Sequence, residues 1–218
     1  LTLSSFEVVD KVYDGGVDAD NGGDNPFSDD RLLGDELSFD WTAEFSDKNV
    51  AAGKTVSVTG ISISGGADQN NYDLVTTSGT TTAEITALDL ALSNFSAEDK
   101  IYDGTTDVPV GTFDDDRLAG DELEFDFTAA FAADDVKDSE TVTFSGISIS
   151  GGADQGNYNL LTTSGTGTAN IIERPVHLDG TRVYDATRLI EAADLAIIDR
   201  EVADTGLIGE ETLVVGGA

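Results

Sequence analysis

Apolar and polar side chains alternate through LSFDWTAEF, where Leu37, Phe39, Trp41, Ala43 and Phe45 share one parity. A period of two marks a strand with one buried face. The alternation returns at Leu123, Phe125, Phe127, Ala129 and Phe131. Trp41 and Phe127 fall at matching positions, an exchange of large apolar rings that a core site tolerates. Farther on the phase flips. Val56 and Val58 hold one parity, Ile61 and Ile63 the other, and one continuous strand would send half of them to solvent. A bulge at Thr59–Gly60 restores the phase, and glycine suits a bulge. Val142 and Phe144, then Ile147 and Ile149, repeat the flip around Gly146. The pattern also predicts an opening strand with its own phase change (Leu1 and Leu3, then Phe6 and Val8). A turn follows at GGADQ, then a return strand starting at Tyr72 and Leu74, or at Tyr158 and Leu160, and a last strand through Ala83 and Ile85. Tyr13 is expected to anchor to the core while Asp14–Gly15 turns the chain.

These patterns recur because the chain repeats itself. GISISGGADQ occupies 60–69 and again 146–155. Lys54 to Ile85 aligns without gaps to Glu140 to Ile171, and 23 of the 32 positions are identical. Such periodicity sets the architecture. It gives a first repeat over 1–87, a second over 88–173 and a partial third over 174–218. The stretch 186–204 could pass as an amphipathic helix, but its place inside a third repeat favours strand and loop. Six or seven short strands per repeat, with turn signals between them, predict an all-β fold of tandem immunoglobulin-like β-sandwich repeats arranged end to end as a rod. The junctions TALDLALSNF and IIERPVHL contain no Gly/Ser linker, and Pro175 stiffens the second.

Charge narrows the function. The chain carries 43 Asp and Glu against 11 Lys and Arg, a net charge of −32. Nucleic acid and anionic membrane are disfavoured as partners, since phosphate contacts need basic side chains. No run of 18 apolar residues suggests membrane insertion. Such charge serves solubility and mutual repulsion, or else divalent-cation binding. Cysteine is absent, which excludes a disulfide scaffold and cysteine zinc sites. His177 is the single histidine, at a junction, and a serine triad would need it in a cleft. Paired carboxylates are too common here to indicate glycosidase chemistry. No enzyme is expected.

One segment gathers metal-type ligands. VDADNGGDNPFSDD offers Asp18, Asp20, Asp24, Asp29 and Asp30, with Asn21 and Asn25 beside them. Calcium takes six to eight oxygens, so these are candidate calcium ligands, and calcium is the candidate cofactor. The EF-hand spacing is missed. A second candidate bridge is Glu98 with Asp99, at the junction of the first two repeats.

KVYDGG, KIYDGT and RVYDAT, then LLGDEL and LAGDEL, then the long GISISGGADQ segment resemble the YDG/MBG-type repeat of large secreted bacterial adhesins that are themselves similar to filamentous haemagglutinin. The resemblance implies a secreted or surface-held protein whose immunoglobulin-like repeats carry no catalytic residues. The expected function is a structural stalk or spacer of a surface or biofilm-matrix adhesin, partnered by neighbouring repeats of its own chain and self-associating into fibres. The carrying residues are then core and turn residues: Tyr13, Phe39, Trp41, Ile61 and Tyr72, with copies Tyr102, Phe125, Phe127, Ile147 and Tyr158. The alternative is a module binding carbohydrate or protein directly, with extracellular polysaccharide as the partner.

Overall fold

The computed structural model describes residues 1–21, 23–176, 178–180 and 195–197. The protein is all-β. The first repeat contains β1 (Leu3–Ser4), β2 (Lys11–Val12), β3 (Ser28–Asp29), β4 (Ser38–Phe45), β5 (Ala51–Gly65) and β6 (Gly79–Thr86). A single residue, Ala87, separates β6 from β7 (Leu88–Leu90). The second repeat continues with β8 (Leu92–Ala97), β9 (Lys100–Ile101), β10 (Gly111–Asp115), β11 (Glu124–Phe131), β12 (Lys137–Gly151), β13 (Tyr158–Leu160) and β14 (Gly165–Ile172). Beyond these, β15 (Leu178–Gly180) pairs antiparallel with β16 (Leu195–Ile197). Within 186–204, residues 195–197 are therefore strand rather than helix. The other residues of that stretch lie outside the described residues, as does His177.

The chain divides into two compact units. The first holds Leu1–Leu92 together with Asp115–Asp126 and Ser148–Thr163. The second holds Ser93–Asp114, Phe127–Ile147 and the described residues from Ser164 onward. Two segments of the second repeat thus fold as part of the first repeat's unit.

In the first unit β2, β6, β5 and β4 form a four-stranded sheet in that order. β4–β5 and β5–β6 are antiparallel, while β2 lies parallel to β6. Alternation along β4 and β5 turns Ala43, Phe45, Val56, Val58 and Ile61 into the core, where Tyr13, Phe27, Ala83 and Ile85 meet them. The anticipated bulge is present. Asp40 pairs with Ser62 but Thr42 with Thr59, so β5 carries one extra residue there. Gly60 takes φ +64° within it, and Ile61 returns to the core behind Val58. A second bulge was not anticipated: Ala51 pairs with Ile85 but Lys54 with Ala83, around Gly53. The copy places Ser139 at that position with φ +52°.

The buried site behind this second bulge tolerates either sign of charge. Lys54 is buried and reaches Asp47 at 2.6 Å. Its counterpart, Glu140, is equally buried and is met by Lys137 at 2.6 Å. A buried charge is retained in each repeat because each brings its own counter-ion.

In the second unit β12 pairs with β14 antiparallel, and β14 with β9 in parallel. Its core is built from rings. Phe95 packs on Phe144 and Phe113 packs on Phe127, both at 5.2 Å between centroids.

Two segments depart from the expected pattern. The opening strand is shortened to Leu3–Ser4, because Ser5 adopts φ +50°, and Phe6 and Val8 pack on the core from extended chain. The return strand forms only in the second repeat. There Tyr158–Leu160 pairs in parallel with β7, whereas Tyr72–Leu74 is not strand. The two segments differ only at Asp73 and Asn159, and the strand forms where a neighbouring strand supplies hydrogen bonds.

One glycine fixes how the opening segment meets the sheet. A Cβ on Gly79 would lie 2.3 Å from the Phe6 ring. Gly79→Ala is expected to destabilise the fold by about 1–3 kcal/mol through overpacking. Gly156→Ala should be nearly neutral, since nothing lies within 4 Å of a Cβ there. Chemical denaturation of both variants checks the difference.

Candidate functional site

The recurrent Lys-x-Tyr-Asp-Gly segment sends its side chains two ways. Lys11, on β2, curls back so that Nζ meets Asp14 Oδ1 at 2.8 Å and the carbonyls of Gly16 and Asp18 at 3.0 and 2.9 Å. Its ammonium stands over the Phe45 ring. Lys100 repeats this with Asp103 at 2.7 Å and the Thr105 carbonyl at 2.6 Å, over Phe131. Burial pushes the Asp14 carboxyl up, but Lys11 and the Gly16 N–H outweigh it and hold it below the ordinary Asp range. The motif aspartate therefore closes a turn around a lysine.

The tyrosine turns the other way. Tyr13 is 2% exposed. Its ring meets Tyr158 edge-on at 5.6 Å, and its hydroxyl donates to Asp121 Oδ2 at 2.8 Å. The Tyr158 hydroxyl donates to the same oxygen at 2.7 Å and accepts the Leu118 N–H. Lys48 completes the cluster. Its Nζ lies 2.6 Å from Asp154 Oδ1 and 3.1 Å from Asp121 Oδ1, over the Tyr13 ring. Next to it the Val50 N–H donates to Asn157 Oδ1 at 3.0 Å, and Asn157 Nδ2 donates to Asn49 Oδ1 at 3.3 Å. Tyr13, Lys48, Asn49 and Val50 belong to the first repeat. Asp121, Asp154, Asn157 and Tyr158 belong to the second, and all eight lie in the first compact unit.

The two carboxylates are held by turns whose sequences recur. Asp121 ends a tight turn in LAGDEL, its N–H donating to the Leu118 carbonyl at 3.2 Å. Asp154 lies in GGADQ, where its N–H donates to the Glu122 carbonyl and its Oδ2 accepts the Glu122 N–H at 3.1 Å. The turns thus clasp each other. Gly152 permits this, since a Cβ there would sit 2.1 Å from the Glu122 carbonyl oxygen. The repeated ten-residue string therefore ends in part of an acceptor site.

Electrostatics favour one protonation state. Burial raises the Asp121 pKa, yet hydrogen bonds from Tyr158, Tyr13 and Lys48 outweigh it and leave it below the usual value. Lys48 foremost holds Asp154 low, and Asp154 in turn heads the causes that raise Lys48. Burial, then the Asp121 hydrogen bond, pushes Tyr158 up to about 12. At neutral pH the site is an ammonium between two carboxylates, closed by two neutral phenols. Among the described residues no buried side-chain polar atom lacks a partner.

The matching of whole repeats now decides the family. The YDG domain model matches residues 1–83 and again 85–167. The chain belongs to the YDG domain family. No curated protein and no solved structure matches it. In this YDG chain the signature divides its labour: tyrosine to the junction, aspartate to the lysine clasp, glycine to the turn.

The candidate aspartates of the acidic loop do not converge on one point among the described residues. Asp29 is gripped by Arg31 through Nε at 2.7 Å and Nη2 at 2.5 Å. The same fork recurs between Arg117 and Asp115. Asp30 Oδ1 accepts the Thr2 N–H at 2.7 Å. Asp18 forms a backbone bridge with Glu44, and Asp20 and Asp24 are exposed. Among the described residues no three His, Cys, Asp or Glu side chains are grouped to hold a metal ion. At the other candidate bridge, Asp99 accepts both the backbone and the side-chain N–H of Asn170. Sequence patterning placed Tyr13 and Tyr158 in the core but missed Lys48, Asp121 and Asp154. The available signal was one lysine among few, beside two aspartates inside the most faithfully repeated turns.

The junction should make stability fall at both ends of the pH scale. Asp121 and Asp154 titrate lower in the folded state, so their contribution is complete above the unfolded value of about 4. It is lost as pH falls through the lowered folded values. Tyr158 titrates near 12 when folded and near 10 unfolded, so its contribution is lost as pH rises across that interval. Unfolding free energy against pH is expected to be flat between about pH 5 and 9. Lys48 and Tyr13, also raised, share that fall, so Tyr158→Phe should reduce it without abolishing it.

Proposed function

We propose that this YDG chain is a structural spacer of a secreted, surface-held bacterial adhesin. Its repeats act as immunoglobulin-like sandwiches set end to end in a rod. They convey length and stiffness, and their partners are the neighbouring repeats of the same chain. The supporting observation is where the first unit spends its best-satisfied polar cluster: Tyr13 and Lys48 of one repeat close on Asp121, Asp154 and Tyr158 of the next. One intervening residue between β6 and β7 leaves little slack. A net charge of −32 adds self-repulsion that favours extension.

The same cluster does not serve as a catalytic site in this reading. Its ammonium is bound by two carboxylates, and its phenols are held protonated, so neither a base nor a nucleophile stands ready. A direct adhesive role is the second reading, and the groove lined by Ile61, Ile63, Tyr72 and Leu74 is where an apolar or sugar ring would sit.

Small-angle scattering of the full chain beside Lys48→Asp separates these readings. A spacer is expected to give one stiff profile for the wild type and a broader, flexible one for the variant. Equal profiles, together with specific capture of a glycan on an array, would favour the adhesive module instead.

A further inference from the structure

The first repeat carries a second copy of the acceptor site. Asp35, Asp68, Asn71, Tyr72 and Leu32 occupy the positions of Asp121, Asp154, Asn157, Tyr158 and Leu118. The copy is already assembled. Tyr72 donates to Asp35 Oδ2 at 2.6 Å and accepts the Leu32 N–H at 2.9 Å. Asp68 Oδ2 accepts the Glu36 N–H at 3.1 Å, and the Asp68 N–H donates back to the Glu36 carbonyl. These are the bonds of the second repeat's acceptor, made with the counterpart residues. What differs is the occupant. Among the described residues no lysine pairs with Asp35 or Asp68. Leu32 is 71% exposed and Leu33 fully so, whereas Leu118 packs on the core cluster beside Tyr13.

The backbone points the same way independently. In the second repeat β7 runs parallel to Tyr158–Leu160, pairing Leu88 with Tyr158 and Leu90 with Leu160. The Leu161 N–H then donates to the Leu90 carbonyl at 2.9 Å. The first repeat reproduces the end of this track: the Val75 N–H donates to the Leu1 carbonyl at 2.9 Å, and the Leu1 nitrogen donates to the Asp73 carbonyl at 2.6 Å. Chain arriving at Leu1 along Tyr72–Asp73 would complete a strand pair equivalent to β7–β13 and deliver whatever precedes it onto Asp35 and Asp68.

We propose that the Leu32, Asp35, Asp68 and Tyr72 face of the first repeat is the docking site for a YDG repeat that enters the chain directly ahead of Leu1 and presents a tyrosine and a lysine as Tyr13 and Lys48 do. The proposal deepens the spacer reading and rests on it. The chemistry is selective. Two carboxylates on one face need a cation between them once a partner covers them from water, and the occupant must supply it. The second repeat has Asp134 where the first has Lys48. A repeat of that type would bring a third carboxylate to the site and is expected to be rejected. The lysine thus selects which kind of repeat can dock ahead of the first.

The absence of cysteine allows a clean test. Residues 1–89 are duplicated ahead of Leu1 in the full chain, and Leu32→Cys is introduced in the original first repeat. Thiol labelling is measured with and without the added repeat, and in a third form whose added repeat carries Lys48→Asp. Hydrogen exchange of the added repeat confirms that it is folded in each. The expected result is labelling at least tenfold slower with the added repeat and fast again with Lys48→Asp. Fast labelling in all forms overturns the docking site. Slow labelling in both added-repeat forms overturns the lysine requirement. Leu118→Cys in the unextended chain tests the underlying reading separately. If that thiol labels as fast as Leu32→Cys of the unextended chain, the junction itself is open and the spacer reading fails, whereas a slow Leu118→Cys beside a Leu32→Cys that stays fast with the added repeat removes the docking proposal alone.

Discussion

Two carboxylates, Asp121 and Asp154, sit close together on one face of a YDG repeat, and once covered from water such a pair stays ionised only with a cation between them. Lys48 is that cation, and it comes from the preceding repeat. Like charges brought together out of water raise each other's pKa until one is neutralised. Here both stay ionised because a neighbour's ammonium and two phenol donors take up the charge. The constraint therefore extends past the repeat that contains it. The acceptor turns of one repeat are satisfied by the repeat before it, which is how a local requirement for counter-charge becomes a rule for joining modules.

This kind of joint differs from an apolar one. Replacing a buried ion pair by well-packed apolar groups is often no less stable, but removing one member strands the other. A lysine–aspartate joint therefore contributes less to bulk stability than to register. The surrounding apolar contacts, including the edge-on meeting of Tyr13 and Tyr158, supply the burial. In a chain with 43 acidic side chains and 11 Lys and Arg, each basic residue placed inside the fold is costly to spare. Lys11, Lys54, Lys100, Arg31 and Arg117 each clasp an aspartate of their own repeat. Lys48 alone among these clasps spans two repeats.

Much of the fold was legible because it rests on period-two alternation, a property of the chain itself. The inward row from Leu37 to Phe45 and the phase flip at Thr59–Gly60 follow from side-chain parity and needed no tertiary knowledge. The bulge at Gly53 left no such trace, because it lies where the flanking residues Ala51 and Ala52 are small. The strand at Tyr158–Leu160 and its absence at Tyr72–Leu74 were not legible either: the two segments differ by one letter, Asp73 against Asn159, and the strand forms where β7 lies alongside. In the acidic loop the partners of Asp29 and Asp30, Arg31 and the Thr2 N–H, were not legible from spacing alone. The functional cluster was half legible. Tyr13 and Tyr158 read as core, which they are, while the destination of their hydroxyls depended on a partner 108 residues away from Tyr13 and had no local signature.

The central claim, that one repeat is chemically completed by its neighbour, is measured most directly by a double-mutant cycle on Tyr13 and Asp121. Unfolding free energies of the wild type, Tyr13→Phe, Asp121→Asn and the double variant give the coupling between two side chains that belong to different repeats. A coupling within about 0.5–3 kcal/mol, as contacting partners show, is predicted. Additive losses, with coupling near zero, would mean that the two repeats fold without reference to each other and would contradict the account.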